Sequence, residues 1–134
     1  MNEKSRPRPL SAFSEHMGFE VVERSEDGSV IECVVSPQHA NTRGVVHGGV
    51  LSALIDMACG VAVAYQPSYG GRAAVSVSMT VNYLQPAMVG DRLRAVAKRA
   101  RSGRRIVACE AAIYTQTGAM VAMGIATMRV IGEP

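Results

Sequence analysis

Residues 73–84, 92–100, 104–116 and 120–130 carry the Val-, Ile-, Ala- and Tyr-containing runs of β-strands and are separated by residues 85–91, 101–103 and 117–119. They predict four strands. Two shorter runs, residues 19–24 and 30–35, flank Ser25-Glu26-Asp27-Gly28, where the Asp-Gly pair is expected to supply the positive-φ residue of a tight hairpin turn. Residues 47–65 break this pattern and predict the one long helix, about 27 Å for about 18 residues at 1.5 Å each. On it, Leu51, Leu54, Ile55, Ala58, Val61 and Ala62 form a broad apolar face, and Gly49, Ser52, Ala53, Asp56 and Gly60 a face of small side chains that permits close approach. Leu10, Phe13 and Met17, at helical spacing, predict a short helix over residues 10–17 that caps one end of the core, while residues 36–46 read as a loop. Short links favour antiparallel neighbours. The expected fold is therefore α+β: a hairpin, one long helix and a four-stranded meander, the helix burying its apolar face on a sheet drawn from both sides of it in sequence. The polar, proline-punctuated residues 1–9 are expected to be a flexible N-terminus ahead of a single domain at residues 10–134.

Composition narrows the class. At 48% hydrophobic and 19% charged, the 134 residues exclude general disorder, collagen-like repeats and a coiled coil. The net charge of +3 is local, because Lys98, Arg99, Arg101, Arg104 and Arg105 stand together without an acid and leave the rest of the chain net negative. With few aromatic rings, all scattered, there is no broad stacking face, and nucleic acid is not an expected partner. Cys33, Cys59 and Cys109 are odd in number, far apart and free of metal-type spacing. They predict reduced thiols in a cytoplasmic protein, with neither disulfide framework nor metal site. No signal-peptide pattern opens the chain, and its longest apolar stretch, residues 50–65, is too short and interrupted to span a bilayer, so no membrane partner is expected.

Candidate chemistry gathers on the long helix. Asp56 is the only charged residue between His47 and Arg72, and a carboxylate there must reach water, a partner or a site. An outward-facing surface residue and a site residue both satisfy that condition, and the small neighbours leave room for a ligand or a second subunit. At the helix start, His47-Gly48-Gly49 offers N–H groups suited to an oxyanion or a polarised carbonyl oxygen, or simply makes a turn that His47 caps. His47 and Asp56 are nine residues apart, about 13.5 Å and half a turn on one helix. A site using both would join two subunits across a two-fold axis. Asn41 offers an amide donor or is a plain loop residue. Ser76, Ser78, Thr80 and Asn82 alternate with Val75, Val77, Met79, Val81 and Tyr83, which places the four polar side chains on one face. Either serine would orient a water or lie on plain surface. The cationic run brackets Ser102-Gly103 and would attract phosphates or form a solvated hairpin tip. Met57, Tyr65, Met79 and Tyr83 are candidates for lining a pocket.

The segment Asn41-Thr42-Arg43-Gly44-Val45-Val46-His47-Gly48-Gly49, with Asp56 beyond it and Val75-Ser76-Val77 leading to Tyr83-Leu84-Gln85-Pro86-Ala87, resembles the hotdog-fold acyl-CoA thioesterases. Within them it is similar to the phenylacetic-acid-degradation type of the 4-hydroxybenzoyl-CoA thioesterase superfamily, over nearly the whole chain. The resemblance implies a curved antiparallel sheet wrapped around one long central helix. It implies hydrolysis of an aryl- or medium-chain acyl-CoA to free acid and CoA, with coenzyme A as part of the substrate and no other cofactor. By position, the Gly48 N–H, helped by Asn41, would polarise the thioester carbonyl, with His47 in support. Asp56 of a second subunit would be general base or nucleophile, and Ser76 would help hold the water. Arg101, Arg104 and Arg105 become contacts for the CoA phosphates, and a homodimer or a homotetramer of paired dimers is implied. Two other functions fit the same fold: a non-catalytic acyl-CoA-binding module, which would not need Asp56, and a dehydratase acting on a hydroxyacyl thioester.

Overall fold

In the computed structural model, which describes residues 11–132, the chain runs α1 (Ala12–Met17), β1 (Glu20–Arg24), β2 (Gly28–Val34), α2 (Gly48–Val63), β3 (Ala74–Tyr83), β4 (Arg92–Ser102), β5 (Ile106–Tyr114) and β6 (Met120–Val130). Short 3₁₀ turns lie at Pro37–His39 and Pro67–Tyr69. All six strands form one antiparallel sheet in the order β1-β2-β4-β5-β6-β3. Its inner face packs on α2, which meets β2 through β6. This is the sheet-around-a-helix fold expected from the sequence. The proposed flexible N-terminus, residues 1–9, and Leu10 lie outside the described residues.

The core sits between α2 and the inward side chains of the strands. Leu93, Ala95 and Ala97 of β4 are buried and alternate with exposed Arg94, Val96 and Lys98, the period-two pattern of a sheet with one covered face. On α2, Val50, Leu51, Leu54, Ile55, Ala58, Cys59, Ala62 and Val63 are buried. At 100° per residue these positions span about 220° of the helix circumference. The sheet therefore wraps more than half of the helix. That wide arc takes in Val50, Cys59 and Val63; Val61, expected on the apolar face, falls inside it and is half-buried.

Four local expectations are corrected. β3 is not the first strand of a meander: it pairs with β6, while β4 takes the free side of β2. The link between β3 and β4 does not fold back as a hairpin, because Val46 N–H donates to Ala87 O at 2.8 Å and Val45 bridges Met88, which draws the link across the start of α2. Gly28 has no positive φ; its missing side chain instead admits the backbone of β4, since a Cβ there would lie 2.4 Å from Ala97 O. In β3 an irregularity between Ser76 and Ser78 shifts the register with β6. Such an extra residue reverses which side chains face inward. Ser76 thus faces α2 together with Met79 and Val81, which pack on the core, and the four polar side chains do not share one face. Finally, α1 is six residues long, capped by Ser11 and ended by Gly18 at φ 70°. Its buried residue is Ser14, while Phe13 is exposed and meets Phe19 edge-on at 6.3 Å.

Candidate active site

α2 and the edge strand β3 run side by side, with Gly48 against Tyr83 near one end of the helix and Asp56 against Ser76 further along it. At one end is the start of α2. His47 is its N-cap, extended at φ −64° and ψ 135°, and its Nδ1 accepts the Gly49 N–H at 3.1 Å. That bond leaves Nε2–H as the donor of the neutral ring. The N–H of Gly48, first in the helix, has no acceptor among the described residues, as first-turn amides lack intrahelical partners. Two glycines follow His47 for close packing: a Cβ on Gly48 would lie 3.3 Å from the Tyr83 ring, and one on Gly49 would lie 3.3 Å from His47 Nδ1.

The loop before the helix is tied down by backbone bonds. His47 N–H donates to His39 O at 2.8 Å, and Asn41 Oδ1 accepts the N–H groups of Arg43 at 2.9 Å and Val45 at 3.1 Å. Those two bonds fix the amide orientation and leave Asn41 Nδ2 without an acceptor among the described residues. Beside Gly48 opens a cleft of about 420 Å³, lined by Val45, Val46, Leu51, Tyr83 and residues 84–87. Of this lining, Tyr83 alone is a pocket candidate from the sequence. Leu84 and Gln85 are held by the Val121 carbonyl, and Ala87 and Met88 pair with Val46 and Val45 of the loop before α2; Pro86, past the end of β3, is the local signal.

The other end of the seam holds Asp56. It is exposed on α2, and its Oδ1 accepts the hydroxyl of Ser76 from β3. Ser76 also lies 3.3 Å from Met128 Sδ. Ser78, the equivalent choice by alternation, falls on the other face across the bulge. Gly48 and Asp56 are eight residues apart on one helix, about 12 Å, and the structure does not bring them together within one chain.

The basic run divides in two. Arg99 is consumed by the fold: its side chain is 5% exposed, its guanidinium lies 3.6 Å from both Glu26 and Asp27, donates to Ser68 Oγ at 3.0 Å, and stacks 5.2 Å over Tyr69. Hydrogen bonds from Ser68, aided by the Arg99 charge, hold the Glu26 carboxyl below its ordinary range. Lys98 pairs with Glu110 at 3.1 Å. Arg101, Arg104 and Arg105 are exposed and form no ion pair among the described residues. Val130 joins Ala74 on one side and the Arg105 carbonyl on the other, so the basic turn lies two strands, about 10 Å, from β3. It is at the Asp56 end of the seam.

The three cysteines are free and buried. Burial pushes the Cys33 thiol up to about 11, and the contact with Cys109, together with burial, raises that of Cys59. Among the described residues no group of His, Cys, Asp and Glu is placed to hold a metal, and no helix is long and apolar enough to cross a membrane.

Residues 43–122 match the thioesterase superfamily. The chain belongs to the thioesterase superfamily. The matched span contains His47, Gly48, Asp56, Ser76 and the basic turn, and begins two residues after Asn41. Acyl-coenzyme A thioesterase PaaI of Escherichia coli is 30% identical over 112 residues, 84% of this chain and 77% of that protein. The solved PaaI structure, from the phenylacetic acid degradation operon, aligns with a TM-score of 0.83 at 27% identity over 91% of this chain and 86% of that one. A hypothetical thioesterase from Streptococcus pneumoniae TIGR4, solved with coenzyme A, aligns with a TM-score of 0.78 at 26% identity over 86% of this chain and 87% of that one. This superfamily member is a hotdog-fold thioesterase of the PaaI type.

Proposed function

We propose that the protein hydrolyses an acyl-CoA, with an aryl or medium-chain acyl group, to the free acid and CoA. The observation that carries this reading is the Asp56–Ser76 contact: the only charge on α2 is an exposed carboxylate held by a hydroxyl, at the far end of the seam from the Gly48 amide, which has no acceptor among the described residues and stands beside a cleft. The match to PaaI of E. coli and the coenzyme A in the S. pneumoniae structure support the substrate class.

The two ends belong to one site if two chains pair. β3 lies at the edge of the sheet, with its outer backbone groups available to another strand. A two-fold axis beside that edge would set the two seams antiparallel. Gly48 of one chain would then face Asp56 of the other, giving two equivalent sites in a homodimer, and two dimers would pair as a homotetramer. In each site the Gly48 N–H and Asn41 Nδ2 would hold the thioester oxygen, with His47 fixing the first turn. A water held by Ser76 Oγ would lose its proton to Asp56 as its oxygen attacks the carbonyl carbon. Ser76 occupies Oδ1 and leaves Oδ2 for that proton. Collapse of the intermediate breaks the C–S bond, and the thiolate takes a proton as CoA leaves. Arg101, Arg104 and Arg105 would receive the CoA phosphates. These residues suffice for hydrolysis without a further cofactor.

Thiol release from a panel of aryl-, short-, medium- and long-chain acyl-CoAs tests the reading, with Asp56→Ala beside the wild type. Release that vanishes in the variant while its Tm is kept is the expected result, and undiminished release contradicts it. Binding by the wild type without release would move the function to a non-catalytic acyl-CoA module, and loss of water without thiol release to a dehydratase.

A further inference from the structure

We infer that Tyr83, tethered by Ser52, is the residue that selects the acyl group. The inference rests on the thioester reading above and adds a specificity determinant to it. Tyr83 is the last residue of β3 and is 54% exposed, an unusual place for a fixed aromatic ring. It is fixed at two points. Its ring lies over Gly48, so close that a Cβ there would meet Cε1 at 3.3 Å and Cζ at 3.4 Å. Its phenol shares a hydrogen bond with Ser52 Oγ, one helical turn further along α2. A ring held at its edge and at its hydroxyl cannot swing without giving up that bond.

The ring forms a wall of the cleft whose other side chains are apolar, Val45, Val46, Leu51, Leu84, Pro86 and Ala87, except for the Gln85 amide. An acyl group whose carbonyl oxygen reaches the Gly48 N–H therefore meets the Tyr83 ring next. The remaining pocket candidates from the sequence lie elsewhere. Met79 packs on the core, Met57 receives the Ser14 hydroxyl at 3.4 Å, and Tyr65 lies past the opposite end of α2. None of the three lines the cleft. A fixed wall discriminates by size: it admits a group that fits against it and rejects one that must displace it.

The test compares kcat/KM across straight-chain acyl-CoAs of increasing length for the wild type, Tyr83→Ala, Tyr83→Phe, Ser52→Ala and the Ser52→Ala/Tyr83→Phe pair. Removing the wall in Tyr83→Ala is expected to raise the long-chain to short-chain ratio about tenfold. Tyr83→Phe and Ser52→Ala each remove the same bond, so each should shift the ratio by a smaller, equal factor, and the double variant no further. An unchanged ratio in Tyr83→Ala overturns the inference. If that variant does not fold, an unchanged ratio in both single tether variants does so, and so do tether effects that multiply in the double variant. A wild type that releases no thiol from any substrate counts against the hydrolase reading instead. The same ratio is then read from dissociation constants for the panel, where its independence of residue 83 would again reject the role of Tyr83.

Discussion

At the Gly48 end of the α2–β3 seam the chemistry is carried by backbone, and at the Asp56 end by side chains. The Gly48 amide is positioned by a web of main-chain bonds, from His47 to His39 and from Val46 to Ala87, with Asn41 bracing the loop. No ordinary side-chain change removes it. Asp56 rests on one hydroxyl and is otherwise open to water. A donor aimed at a developing charge works by being already in place. A carboxylate on an apolar helix, by contrast, is cheapest where water reaches it in the free chain. The comparison teaches that the rigid half of the site is built into the fold, whereas the charged half is completed only by what covers it, a partner chain and a substrate.

The largest effect should come from the charged half. Asp56→Ala is expected to lower kcat by about 10²–10⁴-fold with little change in Tm, because the side chain is exposed and supports no core contact. A large fall in Tm would mean that the two ends are both structural. Gly48→Pro attacks the rigid half at its one weak point. Gly48 is the first helical residue and His47 before it is extended, the conformations that proline and its predecessor prefer. The substitution deletes the N–H, and its Cβ would press on the Tyr83 ring at 3.3 Å; kcat should fall at least about 10²–10³-fold, and a fully active variant would remove the amide from the site.

Asn41 separates bracing from chemistry. Asn41→Asp keeps the oxygen that accepts from Arg43 and Val45 and loses the Nδ2 donor, so kcat should fall about tenfold at nearly constant Tm. Asn41→Ala should lower both, by about 1 kcal/mol in stability. An unchanged kcat in Asn41→Asp would assign Asn41 to the loop alone. The smallest effect on turnover lies at the basic turn. Neutralising Arg101, Arg104 and Arg105 together should raise KM about tenfold with kcat nearly unchanged. Arg99→Ala should leave KM alone and cost about 1–3 kcal/mol of stability, because that guanidinium is spent on Glu26, Asp27, Ser68 and Tyr69.

Local pattern carried much of the fold. The strand composition and the helix face predicted one helix inside an antiparallel sheet, because burial of one face leaves its period in the sequence. The place of β3 was not legible, since which edge a strand takes is decided by where its link is held, here by Val46 and Ala87. The bulge was equally hidden: alternation makes Ser76 and Ser78 equivalent, and one extra residue in the ladder turns Ser76 alone toward Asp56. At Gly28 the residue type was read correctly and its cause was not, because the contact with Ala97 is nearly seventy residues away. For the site, the fold sets Gly48 and Asp56 of the motif against Tyr83 and Ser76 of β3, while Asn41 braces the loop before the helix. The residues 84–87 wall was missed because pairing, not spacing, puts it there.

Subunit complementation tests most directly whether the two halves meet across two chains. Asp56→Ala and Gly48→Pro proteins, each shown to be folded, are unfolded together, refolded as a mixture and assayed for thiol release. If each site takes Gly48 from one chain and Asp56 from the other, every mixed dimer regains one intact site, and activity rises to about a quarter of that of the wild type. Activity that stays at the sum of the two separate variants, with mixed dimers demonstrably formed, would contradict the shared site.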